Sequence, residues 1–244
     1  MKGIVLAGGM GTRLGELTKV LNKHLLPVYD KPMIYYPIET LKKSGITDIM
    51  VVMGGKNLGA FTNLLRDGAS LGVSLTYRVQ DRPNGIGGAL ALAKDFVGND
   101  SCMVCLGDNI LEDDLSPHVK DFKSGAQVFV KAVDDPERFG VANVEDGKLV
   151  SIAEKPSEPS SNLAVIGVYV YDNRVFDLLE KMSPSDRGEL EITDVNNAYV
   201  SLGEMVCSEV KGFWYDAGNP ASLFRASKAI FEETTHGDVP GKAK

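Results

Sequence analysis

An α/β fold built on a central, mixed but mostly parallel sheet flanked by helices is predicted by two patterns in this 244-residue chain. Short apolar runs alternate with helix-like runs through the first half, and a Gly-rich loop stands where the first apolar run ends. Taken in order, Ile4 to Ala7 is the first strand. Lys31 to Ser44 reads as a helix with Pro32 in its first turn and Gly45 as its stop, and Asp48 to Met53 as the next strand. Asn57 is placed to cap a helix carrying Leu58, Phe61, Leu64 and Leu65 on one face. Strand Val73 to Val79 and helix Ile86 to Phe96 repeat the unit, and Ser101 to Leu106 is a further buried strand. After Gly107-Asp108-Asn109 the strands crowd together: Ala126 to Val133, Val141 to Val144, Lys148 to Ala153 and Ala164 to Tyr171, with a hairpin turn at Glu145-Asp146-Gly147-Lys148. Helices return at Val175 to Lys181 and Ile192 to Leu202, and Asn219-Pro220 opens a last one to about Glu233. No Ser/Gly/Pro linker interrupts the chain, so residues 1–236 are expected to form a single domain, with 237–244 a disordered polar tail.

Composition excludes several classes. With a net charge of −7 and a pI near 5.1, the chain lacks the clustered Lys and Arg on which nucleic-acid affinity rests. Any phosphate it binds must be met locally, and the acidity suggests that a divalent cation brings an anionic substrate and carboxylates together. No apolar run approaches a membrane span, and Met1-Lys2 leads directly into Ile4 to Ala7, too short for a signal sequence; a cytoplasmic protein without membrane partners is expected. The three cysteines show no framework spacing. Cys102 and Cys105 lie in an apolar strand, where an offset of three sends the thiols to opposite faces, so core filling outweighs a redox or zinc site.

Leu6-Ala7-Gly8-Gly9-Met10-Gly11-Thr12-Arg13-Leu14 carries the strongest chemical signal. Glycines allow positive φ and close approach of backbone N–H groups to an anion, and Arg13 can fork two hydrogen bonds onto phosphate oxygens. The glycines alone fit a plain strand-to-helix turn equally well. The dinucleotide fingerprint fails because Leu14 stands where its third glycine belongs, and a Walker loop fails because Gly54-Gly55-Lys56 is followed by Asn57. Asp108 ends a predicted strand, where open α/β sheets bind ligands, and Asp216 has a similar strand-then-turn setting after Phe213-Trp214-Tyr215. Two converging carboxylates would suit Mg²⁺ carried with a nucleotide. His24, His118 and His236 show no triad-like setting, and His24 reads as a packing residue.

These segments extend along the chain as LAGGMGTRL (Leu6 to Leu14), KHLLP (Lys23 to Pro27), KPMIYYP (Lys31 to Pro37), Val79-Gln80, LGDN (Leu106 to Asn109), DPERFGV (Asp135 to Val141), EKP (Glu154 to Pro156), RGELEITD (Arg187 to Asp194) and WYDAG (Trp214 to Gly218). In this order they resemble the sugar-phosphate nucleotidyltransferases, most closely the short glucose-1-phosphate thymidylyltransferases, from Lys2 to about Ala226. The resemblance implies a Rossmann-like nucleotide-diphospho-sugar transferase fold. In it, residues 1–109 or so form a nucleotide-binding half, 110–218 a sugar-phosphate half with a smaller antiparallel part, and 219–236 a C-terminal helix. It implies transfer of a nucleotidyl group from dTTP, or UTP, to glucose-1-phosphate with release of pyrophosphate, assisted by Mg²⁺, in a homo-oligomer.

By the same resemblance Arg13 holds the departing pyrophosphate and Lys23 the α- and β-phosphates, while Asp108 and Asp216 carry the metal. Leu6, Gly8, Gly9, Gly11, Thr12, Gln80 and Gly85 complete the nucleotide site. Lys155 and Arg187 grip the sugar phosphate, with Asn109, Gly140, Glu154 and Val165 around the sugar. The catalytic set is Arg13, Lys23, Asp108, Lys155 and Asp216. Three departures bear on substrate preference. Gly87-Gly88 stands where Ala-Gln is common and could widen the base pocket; Ile166 replaces a common threonine; Asp186 stands beside Arg187, where its charge could compete with the sugar phosphate. Alternatives are a UTP-dependent or other sugar-1-phosphate nucleotidyltransferase, or a non-catalytic sugar-nucleotide-binding protein. Longer relatives carry a C-terminal helical segment associated with assembly and feedback control, and the end of this sequence soon after its last helix puts that regulatory site in doubt.

Overall fold

The structure is a computed structural model that describes residues 1–54 and 57–236. Along the chain run β1 (Lys2–Ala7), β2 (Pro27–Val28), β3 (Lys31–Pro32), α1 (Tyr35–Lys43), β4 (Asp48–Gly54), α2 (Leu58–Leu65), β5 (Ser74–Gln80), α3 (Gly85–Ala91) and α4 (Lys94–Val97). Then follow β6 (Cys102–Leu106), β7 (Asn109–Leu111), α5 (Ser116–Asp121), β8 (Ala126–Ala132), β9 (Gly140–Glu145), β10 (Lys148–Glu154) and β11 (Leu163–Tyr171). The chain closes with α6 (Arg174–Lys181), α7 (Ile192–Ser201), β12 (Met205–Glu209), β13 (Trp214–Asp216) and α8 (Pro220–His236).

One mixed sheet carries nine of these strands, in the order β10-β9-β11-β6-β1-β4-β5, with β8 on β11 and β12 on β8. The parallel core is β6-β1-β4-β5. Alternate side chains leave each of its strands on opposite faces, and both faces are covered, as the continuous apolar runs require. Ile4, Leu6, Met50, Val52, Cys102 and Val104 pack with α3, α4, α6 and α7 on one face. Val5, Ala7, Ile49, Val51, Met53, Met103 and Cys105 pack with α1 and α2 on the other. Cys102 and Cys105 therefore do enter different core layers. Burial holds both thiols neutral, with the Cys102 thiol pushed up to about 12.

The antiparallel strands expected in the second half join this same sheet through β11, which runs against β6, β8 and β9. The β9–β10 hairpin turns at Asp146 (φ 48°) and Gly147 (φ 74°), the positive angles that a tight hairpin needs. Chain order runs outward from β1 through β4 to β5 and then returns to β6 on the opposite side of β1. That reversal opens a crevice beyond the carboxyl ends of β1 and β6.

Several boundaries differ from the sequence expectation. Lys31 and Pro32 pair with Pro27 and Val28 as a small hairpin, and Met33 and Ile34 donate their N–H groups to Leu26 and His24 carbonyls, so the first helix begins only at Tyr35. Asn57 has a left-handed φ of 62° and makes no cap; its amide donates to the Val20 carbonyl at 3.3 Å. The helix expected over 86–96 breaks after Ala91 into α3 and α4. At the far end Asn219 caps α8 as expected, its Oδ1 accepting from Ser222 N–H at 3.0 Å. Residues 237–244, expected as a disordered tail, and Gly55 and Lys56 lie outside the described residues. No helix among the described residues is long and apolar enough to cross a membrane.

Candidate active site

A cleft of about 570 Å³ occupies the crevice at the strand ends. Of the expected site residues, Leu6, Gly8, Gly9, Arg13, Lys23, Gln80, Gly85, Asp108, Asn109, Gly140, Glu154, Lys155, Val165 and Asp216 line it. Gly11, Thr12 and Arg187 do not. Gly11 alone of the three loop glycines has positive φ, 68°. Gly8 and Gly9 serve by size: a Cβ on Gly8 would collide with Gln80 Oε1, and one on Gly9 would lie 3.1 Å from Lys23 Cε. The loop is thus shaped around two side chains that cross it.

Lys23 follows Asn22, whose Oδ1 accepts from His24 N–H at 3.0 Å and starts a 3₁₀ turn over Lys23–Leu25. The Lys23 ammonium is hydrogen-bonded to Asp108 in a pair largely removed from water. Burial pushes the Asp108 carboxyl up, but the charge and hydrogen bond of Lys23, together with its other close neighbours His24 and Asp216, hold Asp108 well below the usual carboxylate range. Asp216 reaches the same spot by strand register. β13 runs antiparallel to β7 and sets Asp216 opposite Asn109, and the Ala217 N–H donates to the Asp108 carbonyl at 2.9 Å. Burial first, and then the charge of Asp108, push the Asp216 carboxyl up to about 6.

Gly218 backs the two carboxylates. A Cβ there would stand 2.7 Å from Asp216 Oδ1, 3.0 Å from an Arg13 nitrogen and 3.4 Å from Asp108 Oδ2. Two arginines face Asp216: Arg13 at 3.8 Å and Arg138 at 3.5 Å. Arg138, from the DPERFGV segment, was not singled out from the sequence. Its guanidinium lies over the Phe139 ring and pairs with Asp135, yet one of its buried terminal nitrogens has no hydrogen-bond partner, although it is the nitrogen nearest Asp216. That nitrogen is held to Asp216 by charge alone, with its hydrogen-bonding capacity unspent.

Across the cleft, Glu154 ends β10 and accepts from the Thr193 hydroxyl at 2.6 Å, with Lys155 and Arg187 each at 3.3 Å. Burial raises the Glu154 carboxyl, and the Thr193 bond and the two cations bring it below its ordinary value. Lys155 itself has a φ of 43°, a conformation a side chain rarely adopts, held by its N–H on the Phe139 carbonyl at 3.0 Å. Arg187 is engaged by Glu191 at 2.9 Å as well as by Glu154; Asp186 is not among its partners. Asn109 lines the cleft but its amide oxygen accepts from Trp214 Nε1 at 2.6 Å and Gly167 N–H at 3.1 Å, so it braces Asp108 from behind. Ile166 is fully buried in the core layer, while its neighbours Val165 and Gly167 line the cleft. His24 is buried, bonded to Asn22, and lowered to about 3 by burial and then by Lys23; it stays neutral and packs.

Thr193, Glu191, Asn196, Tyr169 and Trp214 also line the cleft. Glu191, Thr193 and Trp214 belong to the RGELEITD and WYDAG segments without having been assigned a role, and Tyr169 and Asn196 belong to no motif; strand and helix register turns all five inward. No cluster of three or more acidic, His or Cys ligands exists among the described residues. Two adjacent carboxylates of opposite protonation tendency beside phosphate-sized space do fit a divalent ion that brings its own phosphate and water ligands.

A Gly-shaped loop, a buried Lys–Asp pair, a second carboxylate and cations on both walls define a phosphate-handling α/β enzyme. The chain belongs to the nucleotidyl transferase family, whose model matches residues 2–233. It is 45% identical over 236 residues to the glucose-1-phosphate thymidylyltransferase of Xanthomonas campestris pv. campestris, covering 94% of this chain and 80% of that protein. It is 43% identical to the low-salt glycan biosynthesis nucleotidyltransferase Agl11 of Haloferax volcanii, over 96% of this chain and 67% of that protein. A Bacillus anthracis structure described as a glucose-1-phosphate thymidylyltransferase, crystallised with sucrose, superposes with a TM-score of 0.91 at 51% identity, covering 99% and 98% of the two chains. A UDP-glucose pyrophosphorylase bound to UDP-glucose superposes at 0.84 with 26% identity, covering 95% and 98%.

Proposed function

We infer that this chain is a glucose-1-phosphate thymidylyltransferase, joining dTTP and glucose-1-phosphate into dTDP-glucose and pyrophosphate. The observation that carries the reaction is the set of cations lining the cleft with the Asp108–Asp216 pair: Arg13, Lys23 and Arg138 against the two carboxylates, and Lys155 beside Glu154, with Arg187 behind Glu154 outside the lining. The similarity to thymidylyltransferases supports the substrates.

In this reading the sugar-phosphate oxygen attacks the α-phosphorus in line and pyrophosphate leaves opposite. The nucleophile is already ionised at neutral pH, so no general base is required, which agrees with a neutral, buried His24. Arg13 takes the charge developing on the leaving pyrophosphate, and Lys23 the α- and β-phosphates, moving from Asp108 toward the substrate. Lys155 and Arg187 hold the sugar phosphate on the attacking side, and Glu154, kept ionised by Thr193 and its cations, accepts from sugar hydroxyls. Asp108 and Asp216 would hold Mg²⁺, which when bound neutralises phosphate charge during the displacement. Positioning and charge neutralisation account for catalysis, with no covalent enzyme intermediate. The nucleotide half is residues 1–109, the sugar-phosphate half 110–218.

UTP is a second nucleotide substrate to test, since uracil and thymine differ by one methyl, worth about 1–3 kcal/mol in a pocket. A matrix of dTTP and UTP against glucose-, galactose- and glucosamine-1-phosphate with Mg²⁺, read by pyrophosphate release and product mass, decides the assignment. dTDP-glucose as the fastest product is the expected result. Nucleotide binding without turnover in every well would instead indicate a sugar-nucleotide-binding protein.

A further inference from the structure

We propose that Asn84 orients Gln80 for base selection, and that Gly88 leaves the room in which it does so. The proposal rests on the reading of Gln80 as a base contact. Asn84 stands at the N-cap position of α3, where an asparagine side chain ordinarily accepts from the first helical N–H groups. Here it makes no such bond. Leu190 supplies the acceptor in its place. The Gly87 N–H donates to the Leu190 carbonyl at 2.9 Å, and the Leu190 N–H donates back to the Asn84 carbonyl at 2.9 Å. The Asn84 side chain is released, and its Oδ1 accepts from Gln80 Nε2 at 2.8 Å.

Gln80 Nε2 also lies 3.4 Å from the Gly85 carbonyl. A carbonyl can only accept, so the nitrogen of the Gln80 amide, not its oxygen, must face this side. Gln80 Oε1 then turns toward Gly8, where the missing side chain leaves space, and no hydrogen bond among the described residues engages it. The same logic explains Gly88, one of the departures noted in the sequence. A Cβ there would lie 2.5 Å from Asn84 Nδ2 and closer still to Oδ1, so any larger residue expels the Asn84 amide from its place.

The consequence is chemical. Thymine and uracil offer an N3–H donor between two carbonyl acceptors, whereas cytosine offers a bare N3 acceptor beside an amino group. An amide whose nitrogen is already occupied, leaving only its oxygen, accepts from the N3–H of the former and opposes the N3 of the latter. A Gln80 free to rotate would present either end and discriminate less.

The test is the ratio of kcat/KM for dTTP over dCTP, with glucose-1-phosphate, and the ratio of the two nucleotide Kd values without it. Asn84→Ala is expected to lower both ratios by about tenfold, the worth of one orienting hydrogen bond. Gly88→Ala is expected to do the same with Tm unchanged or raised, because alanine favours a helix over glycine. Asn84→Asp should retain the wild-type ratios, since a carboxylate oxygen still accepts from Gln80 Nε2. Wild-type ratios in both Asn84→Ala and Gly88→Ala would overturn the proposal. So would equal losses toward both nucleotides, or Asn84→Asp falling as far as Asn84→Ala. Absence of turnover in the wild type would sink the assigned reaction alone, and the Kd ratios would then decide the role of Asn84.

Discussion

The phosphate end of the cleft is built from opposed full charges, and the base end from neutral amides and main-chain groups. At the first, Lys23 pairs with Asp108 while Arg13 and Arg138 flank Asp216, the carboxylates set by strand ends and the cations by short 3₁₀ turns. At the second, Gln80, Asn84, Gly85 and Gly87 are held to one another and to Leu190. Charge in a secluded site acts strongly over several ångströms, so the phosphate end depends first on which charged groups are present. Hydrogen bonds between neutral groups are short-ranged and directional, so the base end depends on a loop being docked in one conformation. In the proposed function the former secures the reaction and the latter the choice of base.

That contrast ranks the effects of substitution. Lys23→Ala should lower kcat by at least ~10²- to 10³-fold through loss of a transition-state charge contact. It should also destabilise the fold by about 3–5 kcal/mol, because Asp108 is left as a buried unpaired charge. Lys155→Ala should cost a similar ~10²- to 10³-fold in kcat with little change in denaturant midpoint, since its side chain is 49% exposed. Equal stability losses in the two variants would erase the distinction between the walls. Near-normal turnover in either would remove it from the catalytic set.

Gly218→Ala comes next, because its Cβ intrudes on Asp216, Arg13 and Asp108 together; about a 10²-fold loss of kcat with a normal Tm is expected. Kinetics indistinguishable from wild type would mean that the carboxylates can shift without penalty. A pH titration then probes the same pair in the substrate-free protein. Asp216, raised to about 6, is largely protonated below that pH, so Mn²⁺ binding followed by electron paramagnetic resonance should weaken as pH falls through about 6. The sign follows from the proton that the metal must displace; affinity constant from about pH 5 to 7 would contradict it. The smallest effect should lie outside both ends of the cleft. Asn219→Ala removes the α8 cap and should cost about 1 kcal/mol, seen in thermal melts, with kcat unchanged.

Much of this was legible beforehand for identifiable reasons. The parallel core strands were readable because burial on both faces demands unbroken apolar runs, and the phosphate loop because its glycines and arginine are adjacent in sequence. Asp108 and Asp216 stand out through the LGDN and WYDAG segments, since a carboxylate at a strand end by itself fits a turn cap as well. Arg138 does not stand out in the sequence because a lone arginine ordinarily reads as a solvated surface charge; only its buried, unpartnered nitrogen marks it out. At Asn57 and Lys31 the local cap and helix-start signals lose to tertiary hydrogen bonds with Val20, Leu26 and the β2 segment. Gly87-Gly88 suggests a widened base pocket, whereas the vacated space is taken up by the Leu190 carbonyl and the Asn84 amide.

The sequence by itself determined the layered α/β class, the order of its elements and the motif-borne charges Arg13, Lys23, Asp108, Lys155 and Asp216, because apolar periodicity and short motifs are properties of neighbouring residues. Tertiary structure decided which of those groups meet and how their charges stand. Asp216 finds Asp108 only through the β7–β13 register, and its carboxyl rises to about 6 only because burial and a second carboxylate coincide there. The orientation of Gln80 likewise depends on Leu190, a residue distant in sequence that relieves Asn84 of its capping role. Convergence and desolvation are properties of the folded chain, since each needs segments that only packing brings together.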